Sequence, residues 1–222
     1  DNFNSSVLDN IVTKTIESSF NYSGQKCSAC SIVYVPENIY SQFVNKFKEK
    51  LELYKSTIQN YGVINSKSFD KLSNLIDELK KDDEIEFIIE GNRDDNKNYL
   101  IEPHLLHCEN HNHRVFNEEF FGPILAIFPY NENKINETMD ICINSNNYAL
   151  TGAIFSDNEN FKYIATDKFK NKTGNFYVND KSTGSVVGQQ PFGGSGKSGT
   201  NDKAGDINLL YRLFNQRNIK IG

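Results

Sequence analysis

The chain has 222 residues, of which 37% are hydrophobic, so it can enclose a core as one large domain or two small ones, and its net charge of −5 argues against a general nucleic-acid binder. It has no run of about 18 apolar residues and opens on the polar stretch 1–6, so neither a transmembrane helix nor a signal peptide is expected. Four cysteines in this length do not suggest a disulfide scaffold, which favours a reducing, intracellular compartment.

The first half of the chain alternates amphipathic helices with short β-rich runs. Apolar residues recur at helical spacing over 7–20, and Gly24 can end that helix because glycine takes positive φ without steric cost. The next predicted elements are a strand over 31–35, a helix that starts at Pro36-Glu37-Asn38, a helix over 66–80, and strands at Ile85–Ile89, Tyr99–Leu106 and Ile124–Phe128.

The second half continues the alternation. A helix near 134–146, a strand at Thr151–Phe155, a helix over 158–170 with Asp157 as its N-cap, and a strand at Asn175–Val178 are predicted in that order. A long Gly/Ser loop over 181–205 follows, and the tail from Asn215 to Ile221 could be a last strand.

Alternating helices and strands predict the fold class. The pattern is typical of an α/β domain with an open, twisted, largely parallel sheet flanked by helices. No internal repeat or clear linker divides the chain. We therefore expect one domain over 1–214 and a tail strand over 215–222 that is a candidate oligomerisation element.

Cys27 lies just past the Gly24 turn, where a helix runs into a strand. This placement suits a nucleophile, because a thiolate needs exposed amide donors or cations nearby, and Lys26 is one such cation. On the cysteine alone, a buried structural thiol is the simpler interpretation. Cys30 completes a C-x-x-C pair, but a thioredoxin-like pair normally follows a strand and begins a helix, the reverse of the order here.

Two more segments carry candidate chemistry. The run 117–123 contains Glu119 and Phe121 before a Gly-Pro turn, and by itself could be an acidic surface turn. The run 190–199 is rich in glycine and invites comparison with a phosphate-binding loop, but that pattern needs glycine where Pro191 stands.

Together these segments resemble the aldehyde dehydrogenase superfamily. The spacing F-x-x-x-G-Q-x-C up to Cys27, the E-E-x-F-G-P-like run 117–123 and the P-F-G-G-x-x-x-S-G-like run 190–199 occur in that family's order. The resemblance implies that Cys27 is the catalytic nucleophile and that the cofactor is NAD. It also implies that the Glu119 carboxylate accepts hydrogen bonds from the cofactor ribose and that Phe121 packs beside the nicotinamide.

The runs 24–31, 179–192 and 201–205 are similar to one branch of that family, which oxidises L-glutamate γ-semialdehyde in proline catabolism. This resemblance implies a small-molecule aldehyde substrate, a mitochondrial-matrix location and a homo-oligomer. Amides of a Gly/Ser loop form an anion-binding nest, so the loop 181–205 is expected to anchor the substrate α-carboxylate. The substrate-binding residues implied are Ser28, Gly184, Ser185 and Phe192.

No strand followed by a Gly-rich dinucleotide fingerprint occurs in the chain. The family's cofactor domain, general-base glutamate and oxyanion asparagine mostly precede its cysteine, so we expect the chain to be the catalytic domain and tail alone, without activity in isolation. Two alternatives stay open, namely a non-catalytic binding or assembly domain and an aldehyde dehydrogenase of another branch. An intact G-Q-x-C argues against the first, and the run 181–190 against the second.

A group of histidines and a cysteine suggests a metal site at first sight. The group lies near a predicted strand end, so its side chains need not converge, and no metal is predicted there. Its members are His104, His107, Cys108, His111 and His113.

Overall fold

A computed structural model describes residues 5–57, 62–200 and 202–222 of the chain. Its helices are α1 (Ser5–Phe20), α2 (Glu37–Thr57), α3 (Ser66–Leu79), α4 (Arg114–Asn117), α5 (Ile135–Asn144), α6 (Glu159–Phe169) and α7 (Ile207–Tyr211), with 3-10 turns at Asn21–Gly24 and Glu132–Lys134. Its strands are β1 (Ile32–Pro36), β2 (Glu86–Ile89), β3 (Arg93–Asp94), β4 (Leu100–Ile101), β5 (His104–His107), β6 (Ile124–Tyr130), β7 (Tyr148–Ala149), β8 (Thr151–Ile154), β9 (Asn175–Val178) and β10 (Ser195–Gly196).

The central sheet has the strand order β1-β6-β5-β2. Strand β6 pairs in parallel with both β1 and β5, and β2 joins β5 in the antiparallel sense. Strands β8 and β9 form a separate parallel pair. The predicted α/β class with a largely parallel sheet is therefore confirmed.

Successive residues of a strand face opposite sides of a sheet, and Leu105 and Leu106 of β5 illustrate this. Leu105 packs in an apolar cluster with Phe47 of α2 and Val12 of α1. Leu106 packs on the other face with Leu72 of α3. Helices therefore cover both faces of the central sheet, and a third cluster forms where α5 and α6 pack near β8 and β9.

Two predicted boundaries were wrong. The strand predicted over Tyr99–Leu106 is two short strands, β4 and β5, separated by Glu102 and Pro103. Proline has no amide hydrogen to donate to a ladder, so pairing stops there. The N-cap of α6 is Asn158 and not Asp157, because the side-chain oxygen of Asn158 accepts a hydrogen bond of 3.0 Å from the amide of Phe161.

The C-terminal region also differs from the prediction. Within the described range 202–222, a short helix α7 forms after its N-cap Asp206, while residues 215–222 have no strand pairing in this chain. The loop 181–205 is more ordered than a plain Gly/Ser loop, because β10 pairs with β7 and Phe192 forms an antiparallel bridge with Ala204. The domain boundary at 214 stays a prediction.

Candidate active site

Cys27 is exposed and lies in the turn between Lys26 and Ala29, which the amide of Ala29 closes with a 3.0 Å hydrogen bond to the Lys26 carbonyl. The chain then joins α1, because the amide of Cys30 donates to the carbonyl of Ser18 at 3.1 Å. The amides of Cys27 and Ser28 have no acceptor within the described ranges 5–57, 62–200 and 202–222. Two unsatisfied amide donors therefore lie at the thiol.

The backbone before Cys27 is held in the left-handed region over three successive residues. The φ angles are 55° at Tyr22, 57° at Ser23 and 68° at Gly24. Only at Gly24 does the close approach of another chain segment also exclude a side chain, because an ideal Cβ there would lie 2.3 Å from the Gly122 carbonyl oxygen. Glycine is therefore needed at position 24 for two reasons: the backbone has a positive φ, as the sequence predicts, and a side chain there would clash with Gly122.

Gln25 connects the cysteine segment to the loop that leads into α3. Its side-chain oxygen accepts a 2.9 Å hydrogen bond from the amide of Ile64, and its side-chain nitrogen donates to the carbonyl of Tyr22 at 3.0 Å. The glutamine of the G-Q-x-C pattern is therefore a structural link between the cysteine segment and the loop before α3.

The Gly122 contact places the acidic turn beside the nucleophile. A small cavity of about 30 Å³ lies between the two segments and is lined by residues of both, including Lys26, Glu119 and Phe121. Phe121 is 45% exposed, has a φ of 60°, and also lines a larger cleft of about 440 Å³ on the α3 side with Gln25, Ser68 and Lys71. The structure thus brings both predicted cofactor residues to the cysteine segment, and it adds Ser68 and Lys71, for which no sequence motif gave a signal.

Ser182 joins the Gly/Ser loop to the other side of the nucleophile turn. Its hydroxyl donates a 2.9 Å hydrogen bond to the carbonyl of Ser28, and the Ser182 residue is 8% exposed. Gly184 follows in the same turn, with its amide donating to the carbonyl of Lys181 at 3.0 Å. The loop that carries the predicted substrate residues Gly184 and Ser185 therefore contacts the third, Ser28, through Ser182.

Two ion pairs hold the start of this loop against α1. Lys14 pairs with Asp180 at 2.9 Å, and Lys181 pairs with Glu17 at 2.8 Å. Lys26 lies in the same electrostatic environment: burial lowers the pKa of its ammonium, the positive charge of Lys181 lowers it further, and the Glu17 carboxylate opposes both.

Two buried residues of strand β9, which no sequence motif marked, contact the Gly/Ser loop 181–205. The buried Asn175 donates to the Pro191 carbonyl at 2.9 Å and accepts from the Gly193 amide at 3.1 Å. The hydroxyl of the buried Tyr177 accepts a 3.4 Å hydrogen bond from the side-chain nitrogen of Gln190; burial raises the pKa of this phenol, and the nearby Ser185 side chain opposes that shift. Asn175 and Tyr177 lie two residues apart in β9, so their side chains point to the same side of the strand. Two polar residues at positions i and i+2 of a predicted strand are the sequence pattern that could have identified them.

Phe192 lies near the base of this loop, where its amide donates to the Ala204 carbonyl at 3.0 Å. The amides of Ser185 and Val186 have no acceptor among the described residues. Free amides at the loop tip are what an anion-binding nest requires.

The remaining thiols differ from Cys27 in exposure. Burial raises the pKa of Cys30 to about 11 and that of Cys142 to about 11, and it also raises the pKa of the fully buried Cys108. Thiolate is the reactive form, so these environments disfavour reaction at all three. Cys30 donates to the carbonyl of Ile32 at 3.3 Å, as a packed thiol does.

The histidines occupy separate environments. The Nδ1 of His104 lies 2.7 Å from the Glu102 carbonyl, and the Nδ1 of His107 lies 2.6 Å from the Tyr40 hydroxyl. His113 lies near Asp82 and Glu84. Its Nδ1 accepts from the Val115 amide at 3.2 Å and its Nε2 lies 3.0 Å from the Asp82 carboxylate, so a helix cap and a hydrogen bond account for its position.

The geometry brings a cysteine turn, an acidic E-E-F-F-G-P turn and a Gly/Ser loop into one place. The model of the aldehyde dehydrogenase family matches residues 3–218. The chain belongs to the aldehyde dehydrogenase family. This assignment accounts for the order of the three segments and for their meeting at Cys27.

Known members of the family are similar over almost the whole chain. The mitochondrial Δ1-pyrroline-5-carboxylate dehydrogenase of Dictyostelium discoideum is 39% identical over 98% of this chain, and the human protein of that name is 36% identical over 96%. The NAD-bound crystal structure of the Mycobacterium tuberculosis Δ-pyrroline-5-carboxylate dehydrogenase superposes with a TM-score of 0.81 at 32% identity, covering 92% of this chain and 38% of that one.

The chain spans 40% and 39% of the length of these two curated relatives. No helix within the described residues is long and apolar enough to cross a membrane.

Proposed function

We propose that the chain serves in the NAD-dependent oxidation of L-glutamate γ-semialdehyde, formed from Δ1-pyrroline-5-carboxylate, to L-glutamate. The observation that carries the proposal is the position of the Cys27 turn between the Gly122 turn and the Ser182 loop. Relatives named Δ1-pyrroline-5-carboxylate dehydrogenase support this substrate, which belongs to proline catabolism.

Cys27 is proposed as the nucleophile. Its thiolate adds to the aldehyde carbon and forms a hemithioacetal, and the amide of Cys27, which has no acceptor among the described residues, is proposed to donate to the resulting oxyanion. After oxidation the acyl group is a thioester on Cys27, which water cleaves to release the acid. Exposure of Cys27 leaves room for both substrate and water.

A nicotinamide cofactor fits the face of the turn that carries Glu119 and Phe121. A cleft of about 440 Å³ opens next to Phe121. When bound, NAD supplies the acceptor for the hydride that leaves the substrate carbon. Glu119 is proposed to accept the ribose hydroxyl hydrogen bonds, and the exposed ring of Phe121 to pack on the nicotinamide side.

The substrate α-carboxylate is proposed to bind at Gly184 and Ser185. Free amides at Ser185 and Val186 supply neutral donors, and the hydroxyl of Ser28 is a further donor beside the nucleophile. Phe192 is proposed to pack on the aliphatic part of the substrate. With the α-carboxylate at Gly184 and Ser185 and the aliphatic part against Phe192, the aldehyde end of the substrate is free to react with Cys27.

The tail is proposed as a homo-oligomer element. Its apolar side chains Ile219 and Ile221 are 69% and 90% exposed in this chain, and exposed apolar surface is what an interaction site requires. Light scattering of the gene product with and without residues 215–222 tests the tail, since an unchanged mass would remove it from the interface.

The mitochondrial names of the relatives support a matrix location.

The test of the activity is NAD reduction at 340 nm by the gene product that carries this chain, with L-glutamate γ-semialdehyde as substrate. Cys27→Ser must abolish turnover, and Cys142→Ser, at a half-buried thiol, must not. Equal activity of the two variants would remove Cys27 as the nucleophile. Preference for an aldehyde without a carboxylate would retain the family but overturn the substrate.

A further inference from the structure

The ammonium of Lys203 joins two backbone segments that lie far apart in sequence. Its Nζ donates to the carbonyl of Gly174, just before β9, at 2.5 Å and to the carbonyl of Gly193 at 2.8 Å. The two segments are in direct contact, because an ideal Cβ on Gly174 would lie 1.9 Å from the Gly193 oxygen. One side chain therefore supplies a donor to two carbonyl groups that meet at this contact.

The run that contains Phe192 is held at every backbone polar group from the Pro191 carbonyl to the Gly193 carbonyl. The Asn175 side chain donates to the Pro191 carbonyl at 2.9 Å and accepts from the Gly193 amide at 3.1 Å. The amide and the carbonyl of Phe192 pair with Ala204 at 3.0 and 2.8 Å. The Gly193 carbonyl is the group that remains, and the lysine ammonium binds it. The backbone on both sides of the Phe192 ring is thus fixed.

The same run continues toward the residues proposed to bind the substrate carboxylate. The side-chain nitrogen of Gln190, two residues before Phe192, donates to the carbonyl of Gly184 and to the hydroxyl of Tyr177, each at 3.4 Å. The run 190–193 therefore connects the lysine contact with Gly184.

A positive charge suits the position between two carbonyl oxygens. The lysine ammonium is a compact charge with three donors, so it can serve both oxygens at once. Hydrogen bonds from a charged donor are about twice as strong as those from a neutral one. We therefore expect the charge, and not only the length of the side chain, to matter here.

We propose that Lys203 is a positioning residue for substrate binding, because its two hydrogen bonds fix the Phe192 ring where the aliphatic part of the substrate packs. The place of the substrate rests on the proposed function, whereas the hold on the Phe192 run does not. The proposal gives Lys203 no contact with the reacting atoms. Its loss should therefore weaken substrate binding and leave the chemistry at Cys27 intact.

Hydrogen exchange of the gene product that carries this chain, measured without substrate, tests the hold on the run. Lys203→Ala should speed exchange at the amides of Phe192 and Ala204 about ten- to a hundredfold, since it removes a charged donor from the contact between the segments. Added n-propylammonium, the fragment that this substitution removes, should restore slow exchange. The neutral n-propanol, of the same length, should not.

Steady-state kinetics of the same gene product test the role in binding. In Lys203→Ala, KM for L-glutamate γ-semialdehyde should rise about three- to fifteenfold, the range for losing part or all of the packing of two methylene groups. The kcat and the rate at which iodoacetamide labels Cys27 should stay within about threefold of wild type, which a general loss of folding would not allow. Lys168→Ala is the matched control, because Lys168 donates to the Asn136 carbonyl at 3.0 Å between α5 and α6, and neither exchange at Phe192 nor KM should change in it.

Slow exchange at Phe192 in Lys203→Ala overturns the proposal, and so do equal effects of n-propylammonium and n-propanol. Fast exchange with an unchanged KM overturns it as well, because the lysine would then hold the run without serving the substrate. If Lys203→Ala does not fold, Lys203→Gln keeps a neutral donor and should change both quantities in the same direction by less, and an unchanged KM in it has the same meaning. No oxidation of L-glutamate γ-semialdehyde by the wild-type gene product would sink the proposed function, whereas wild-type turnover with an unchanged KM in the variant sinks this inference alone.

Discussion

Gly24 and Gly122 meet backbone to backbone, so closely that an ideal Cβ on Gly24 would lie 2.3 Å from the carbonyl oxygen of Gly122. This contact sets the separation between the nucleophile turn and the segment that carries Glu119 and Phe121. A glycine that a sequence pattern marks as a helix end is therefore also the point where the two halves of the candidate site touch.

Gly24→Ala should destabilise the fold by about 2–5 kcal/mol, the sum of a left-handed-backbone cost and an overpacking cost. Gly205→Ala separates the two contributions, because Gly205 has a φ of +84° but no heavy atom within 4 Å of its ideal Cβ. That control should lose only about 1–2 kcal/mol. Urea unfolding midpoints measure both, and equal losses would show that the Gly122 contact can relax.

Much of the fold could be predicted because periodicity decides it. The helix predicted over 66–80 is α3 (Ser66–Leu79), and the strand predicted at Asn175–Val178 is β9 with the same bounds. Predicted boundaries were wrong where a single residue interrupts an element. Pro103 does this within the predicted strand Tyr99–Leu106, because proline has no amide hydrogen to donate. The tail could not be predicted from its own apolar pattern, since a strand needs a partner, and residues 215–222 find none in the part of the chain that the structure describes.

The site was predictable only as separate motifs. Cys27, Glu119 and Ser185 each stand in a recognisable run, but no run reveals its neighbours in space. The contacts that join these runs, such as the hydrogen bond from Ser182 to Ser28, depend on where β9 places the loop that follows it. Ser182 and Ser28 are more than 150 residues apart in the chain, and one sequence carries no signal for a single hydrogen bond between them.

Ser182→Ala should loosen the turn that holds Cys27. It removes the hydrogen bond to the Ser28 carbonyl, which should cost about 0.5–1.5 kcal/mol and speed hydrogen exchange at the amides of Ala29 and Cys30. Ser198→Ala is the matched control, since the Ser198 hydroxyl accepts one 3.0 Å hydrogen bond from the Ala149 amide. Faster exchange in the Cys27 turn of the control, or none in the Ser182 variant, would contradict the link.

Cys27 should be the first of the four thiols to react with iodoacetamide at neutral pH. It is exposed, whereas burial raises the pKa of Cys30 and of Cys142 to about 11. Peptide mass spectrometry after brief labelling ranks the four sites, and the same experiment in urea should equalise them. Labelling of Cys108 or Cys142 before Cys27 in the folded chain would count heavily against Cys27 as the nucleophile.

The 222-residue chain by itself should not reduce NAD with any aldehyde. It has no Gly-rich dinucleotide fingerprint. Loss of a general base and of an oxyanion donor each typically lowers the rate by about 10²-fold or more. Absorbance at 340 nm with purified chain is the measurement, and turnover above a Cys27→Ser blank would overturn this view of what the chain contains.

Ser185→Ala in the gene product that carries this chain should impair recognition of the substrate α-carboxylate. One hydrogen bond to a charged group is worth about 1.5–3 kcal/mol, so kcat/KM for L-glutamate γ-semialdehyde should fall about ten- to a hundredfold. An uncharged aliphatic aldehyde never uses that bond, and its rate should barely change.

Tyr177→Phe is the matched control, because it removes the phenol that lies near Ser185 and accepts from Gln190, and it leaves the Ser185 hydroxyl in place. Both substrates should then react within about threefold of wild type if the hydroxyl serves the substrate and not the loop. Equal losses for the two substrates in the Ser185 variant would mean that the residue shapes the site generally. Equal losses in both variants would assign the effect to the Tyr177 contact, and the substrate assignment would then lose its main physical support.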